Sequence, residues 1–108
     1  MVAKWTVEDR LGNVIYVTDE RVEHIQQRHL TQLAHEDVRD RVLQVLRTGR
    51  RHLDDDRSDT YRYYASIDGL GGQNQFLVVC VRFDFELVPG GSQVNNFVTT
   101  GWPARYYP

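Results

Sequence analysis

The stretch ERVEHIQQRH, Glu20–His29, sets two histidines, two arginines and two glutamates around only two aliphatic residues. A histidine can take or return a proton near neutrality, and an arginine can hold a phosphate through parallel N–H donors. Successive helical residues advance about 100° around the axis. Val22, Ile25 and His29 therefore share the face that would pack on a sheet, while Arg21, His24 and Arg28 share another. Related residues recur downstream. Arg50, Arg51 and His52 form one run, Arg62 and Tyr64 alternate with Tyr61 and Tyr63, and Thr99, Thr100 and Trp102 come later. Guanidinium groups suit phosphates and aromatic rings stack on bases. A plainer account stays open beside this one. His24 and Arg28 would be solvated, His29 would cap the helix C-terminus where a cation is favoured, and the tyrosines would be packing groups with wet hydroxyls.

Other chemistries find no support. HExxH, paired CxxC, zinc-deaminase and GxSxG patterns are all missing, so no metal ligand set and no cofactor is expected. Asp54, Asp55 and Asp56 are consecutive rather than spaced as a calcium loop requires, and read as solvated loop. Cys80 sits inside LVVCV, where a thiol is inert, and DGLGG reads as a turn.

These side chains need a scaffold. A chain of 108 residues that is 41% hydrophobic is expected to form one globular domain, 1–108, rather than a disordered segment. No apolar run reaches the roughly 18 residues of a membrane span, and no signal peptide is apparent. The single cysteine excludes an internal disulfide and fits a reducing compartment. With a net charge of −2, a polyanion would have to be held by a local basic patch. AKWTVED and NVIYVT read as two strands around a turn, followed by a helix that starts at Thr18–Asp19 and runs to about Leu30. A second helix, AHEDVRDRVLQVLRT, carries Val38, Val42, Val45 and Leu46 on one stripe and stops at Gly49. RRHLDDDRSD reads as a loop. TYRYYASI, the apolar QFLVVCVRFDF and QVNNFVTTGW supply three more strands, with the apolar run central. The expectation is an α+β fold of order β-β-α-α-β-β-β, its two N-terminal helices packed on one face of an antiparallel sheet.

In order, VTDERVEHIQQRH, a second amphipathic helix, an arginine–tyrosine strand, an apolar strand and a closing FVTTGWP resemble the small phage and polymorphic-toxin members of the barnase–EndoU–colicin–RelE superfamily. The likeness spans Val14 to Pro103. It implies a metal-independent endoribonuclease in which basic residues from the helices face basic, Ser/Thr and aromatic residues from the strands. On this chain it points to His24, Arg28, His29 and Thr100 as catalytic. Arg51, Arg62, Tyr64, Thr99 and Trp102 become candidate substrate contacts, with Trp102 where relatives often carry tyrosine. The partners implied are RNA, with tRNA among the candidates, and a cognate immunity or antitoxin protein. The place of action implied is a cytoplasm, its own or a target cell's. Such cleavage needs a base for the 2′-hydroxyl, a donor for the leaving 5′-oxygen and a cation for the phosphorane. The alternative is a non-catalytic binding or inhibitor module on the same fold. Convergence of His24 or His29 with Arg62 and Thr100 in one cleft would separate the two.

Overall fold

The computed structural model describes residues 3–108. Along the chain run β1 (Lys4–Glu8), β2 (Val14–Thr18), α1 (Asp19–His29), α2 (His35–Thr48), β3 (Arg50–Leu53), β4 (Thr60–Ser66) and β5 (Phe76–Arg82). Then come β6 (Phe85–Val88), β7 (Gly91–Val94) and β8 (Phe97–Ala104). The main sheet has the order β1-β2-β8-β5-β4-β3, and β6 and β7 form a separate two-stranded hairpin.

The class is α+β, with both helices on one sheet face. β5 is interior, between β4 and β8, as its apolar run demands, and Leu77 through Val81 are all buried. Thr18 caps α1 by accepting the Arg21 N–H at 3.2 Å, with Asp19 and Glu20 in the first turn where the helix dipole favours acids. The α1 residues Val22 and Ile25 and the α2 residues Val38, Val42, Val45 and Leu46 meet Leu77, Val79, Val81 and Val98 in one core. Each such side chain contributes about 1.5–3 kcal/mol relative to exposure.

Four expectations need correction. Arg50–Leu53 is a strand, not a loop, and pairs antiparallel with β4. The sheet is mixed, since β8 lies parallel to β2 at Tyr16–Phe97. Six strands follow α2 instead of three, because FELV and GSQV fold on each other around Pro89-Gly90 and the last strand begins only at Phe97. His29 is exposed. The helix ends there, and Leu30, with non-helical φ −134° and ψ 50°, turns into the core in its place.

Gly49 ends α2 with φ −76°, so its role is space rather than a left-handed turn. A Cβ there would collide with the Val45 carbonyl oxygen and lie 2.7 Å from that of Tyr64. Both obstacles are backbone. Gly49→Ala is therefore expected to lower stability by about 1–3 kcal/mol, the usual cost of overpacking, read as a fall in the denaturation midpoint.

Candidate functional site

Directly opposed residues in a sheet point to the same face. On the face away from the helices, His52 opposes Arg62, Arg62 opposes Cys80, and Cys80 opposes Thr100. A second row runs Arg50, Tyr64, Val78, Trp102. The two rows cross β3, β4, β5 and β8 side by side. Val78 and Cys80 are buried although no helix covers them, so the larger side chains of the rows lie over them.

The rows are held in place by specific contacts. Arg62 donates from Nε to Asp54 Oδ2 at 3.2 Å, and its Cζ lies 5.8 Å from the centre of the Trp102 ring. The Asp54 hydrogen bond, together with its charge, raises the Arg62 pKa further. Asp54 is lowered, chiefly by the backbone N–H of Asp56 and then by Arg62. This guanidinium is thus a cation held against a carboxylate, with 32% of its side chain exposed. The His52 and Tyr64 rings stand 5.4 Å apart. Tyr64 in turn shares a 3.1 Å hydroxyl–hydroxyl hydrogen bond with Tyr107, which raises its pKa and keeps its proton in place. Burial pushes the Cys80 thiol up to about 11. It is a floor for the site, and slow alkylation of the folded protein is the expected result in a thiol-labelling assay.

Of the residues expected from sequence, the structure brings together Arg62, Tyr64, Thr100 and Trp102. His24, Arg28 and His29 do not join them, the outcome that counts against an enzyme built on the first helix and in favour of the binding module. They lie on α1, which packs on β8 and β2 from the other face; Ile25 is directed at Gly101, the neighbour of Thr100 that points the opposite way. His24 sits in a shallow depression lined only by residues of α1 itself. Arg51 also faces the helix side. Its Cζ is 4.0 Å from the Tyr61 ring centre and 5.4 Å from that of Phe83, and it donates to the Tyr63 hydroxyl at 3.4 Å. Thr99 is the extra residue of a β-bulge opposite the Cys80–Val81 step and donates to the Cys80 carbonyl at 3.4 Å. The bulge keeps Thr100 in line with Cys80.

The sequence reading noted Arg50 and His52 as part of a basic run but gave no site role to them, to Asp54 or to Tyr107. Recognising Arg50–Leu53 as a strand would have found the first two, because alternation sends Arg50 and His52 to one face and Arg51 and Leu53 to the other. At the β3 edge, a cleft of about 400 Å³ is lined by Arg10, Arg50, Tyr64, Phe76 and Tyr107 among others, with no carboxylate. The net charge of −2 thus conceals a local cationic surface. Among the described residues, no three His, Cys, Asp or Glu side chains gather as a metal ion would require. The chain matches no family model, no curated protein and no solved structure.

Proposed function

We propose that this protein is a metal-independent endoribonuclease whose site is the sheet face opposite the helices, not the first helix. The observation that carries the reading is the row His52–Arg62–Cys80–Thr100 beside Tyr64 and Trp102. It sets an imidazole, a guanidinium, a hydroxyl and stacking rings on one face that neither helix covers.

RNA laid on this face would place a phosphate between Arg62 and Thr100, with a base against Trp102. His52 takes the 2′-hydroxyl proton, and the 2′-oxygen bonds to phosphorus. Arg62 and Thr100 stabilise the charge that develops on the phosphorane oxygens. The bond from phosphorus to the 5′-oxygen then breaks. Tyr64 gives its proton to the departing alkoxide, which is far more basic than a phenolate, and recovers one from the His52 imidazolium. The products are a 2′,3′-cyclic phosphate and a 5′-hydroxyl end. RNA is the substrate class, tRNA included, and an inhibitor protein would silence the face by presenting carboxylates to the same cations.

The test is incubation of the protein with total RNA and tRNA in EDTA, with mapping of the cleaved ends. Cyclic phosphate and 5′-hydroxyl ends are expected. Cleavage lost in EDTA and restored by a divalent ion would overturn the metal-independent reading. RNA bound but never cleaved would favour the second reading, a binding module that uses the same face. His24→Ala and His29→Ala are expected to cleave at the parent rate, since the sheet separates them from Arg62 and Thr100; a large loss in either would return the site to α1.

A further inference from the structure

The groove continues past the open face. Beyond the edge cleft lies a larger one of about 670 Å³, between the Gly72–Phe76 segment and Arg105–Tyr107, and the two share Phe76 and Tyr107. Aromatic rings connect the reaction face to this second cleft in steps of 5.4 Å (His52–Tyr64), 5.2 Å (Tyr64–Tyr107) and 5.6 Å (Tyr107–Phe76). Its walls are tied to each other, because the Gln75 N–H donates to the Ala104 carbonyl at 3.0 Å. Asn74 braces the loop by donating from its side chain to the Gly71 carbonyl at 3.2 Å. The lining includes Gln73, Gln75, Tyr106 and Arg105, and no carboxylate. Amides offer both donors and acceptors, as base edges do, while tyrosine rings offer stacking surface and Arg105 a phosphate contact. A cleft that is polar, cationic and aromatic at once, and continuous with a phosphate-binding face, suits a nucleotide better than an apolar ligand.

We propose that this cleft is a nucleotide subsite: it receives the nucleotide neighbouring the one whose phosphate lies at Arg62, stacks its base on Tyr106 and Tyr107, and reads the base edge through Gln73 and Gln75. The proposal rests on the RNA reading above and adds to it a source of base preference. The subsite selects sequence, while the open face does the chemistry.

The experiment is a fluorescence-anisotropy titration with labelled ten-nucleotide 2′-O-methyl oligomers of A, C and U, which lack the attacking hydroxyl. It compares the parent with Tyr106→Ala, Gln73→Ala and Arg62→Ala. Tyr106 is 76% exposed, so its replacement leaves the core intact. The parent is expected to prefer one oligomer. Tyr106→Ala should weaken that oligomer roughly ten-fold, as loss of one stacked base does. Gln73→Ala should level the preference, and Arg62→Ala should weaken all three alike. A parent that binds RNA while Tyr106→Ala and Gln73→Ala keep its affinities and preference overturns the subsite and leaves the RNA reading standing. A parent that binds none of the three overturns the RNA reading itself, and the subsite with it.

Discussion

His52→Ala is expected to slow RNA cleavage by about 10²- to 10⁴-fold, the usual worth of a positioned acid–base group, with folding unchanged. The reason is exclusion as much as position. Of the four histidines, His24 and His29 lie on α1 behind the sheet, and His35 is bound through Nε2 to Asp19 Oδ1 at 2.5 Å where the two helices begin. His52 is the imidazole that the open face carries, opposite Arg62 and beside Tyr64. It sits on an edge strand and is half-buried, so its removal opens no core cavity. Rates should be measured across pH on a defined RNA, with circular dichroism on the same samples. The variant's rate should stay low at every pH at which the parent cleaves. An unaltered rate and profile would remove His52 from the chemistry. Arg62→Ala offers an independent check, expected to cost about 10²- to 10³-fold as a lost transition-state donor.

Asp9→Ala should produce the largest loss of stability. Asp9 follows β1 in the turn to β2, and its carboxylate accepts four hydrogen bonds. These come from the Leu11 N–H at 2.9 Å, the Asn13 N–H at 2.8 Å, the Asn13 amide at 2.9 Å and the Tyr63 hydroxyl at 2.5 Å. The Tyr63 side chain is fully buried, so truncation leaves a hydroxyl with no carboxylate partner at a cost of about 1–3 kcal/mol. The turn loses its three local bonds as well. Burial pushes the Asp9 carboxyl up, but the bonds from Tyr63, Asn13 and Leu11 outweigh it, and the net pKa falls below the ordinary 3.8. A carboxyl lowered by folding stabilises the protein above its unfolded value, and that stability is lost as pH falls through the lower folded value. Denaturant titrations from neutral pH to below 3.8 should therefore show an acid-side decline that is shallower in Asp9→Asn. A variant with the parent's midpoint at neutral pH would show that the cluster contributes nothing net.

Legibility followed local pattern. The run from Leu77 to Val81 and the stripes of α1 and α2 are visible because apolar periodicity repeats over many residues. β3 is invisible for the opposite reason. On its inner face Arg51 stands where an apolar residue would be expected, its guanidinium stacked on Tyr61 and Phe83, so no alternation of polarity marks the strand. The strand carries two residues of the candidate site, Arg50 and His52. The parallel pairing of β2 with β8 leaves no local trace either, since it joins distant parts of the chain. His29 shows the limit of a helical wheel at a helix end, where Leu30 departs from the helix and takes the buried position. The shared face of Arg62 and Tyr64 was legible by counting along their strand, whereas Thr100 and Trp102 were singled out through the family resemblance.

The place of β8 in the sheet has a consequence for how the molecule comes into being. It is the last strand in the chain but lies between β2 and β5, and its neighbourhood is bonded to β2 across 82 residues, from Asn96 to the Val14 carbonyl. During translation, everything up to β7 can emerge from the ribosome without forming the row that ends at Thr100. Closure must then wait on a long-range docking event, which slows folding relative to local assembly. If the open face cleaves RNA, the row that ends at Thr100 exists only once β8 has docked between β2 and β5, so activity appears with the longest-range contact of the fold rather than with its local elements.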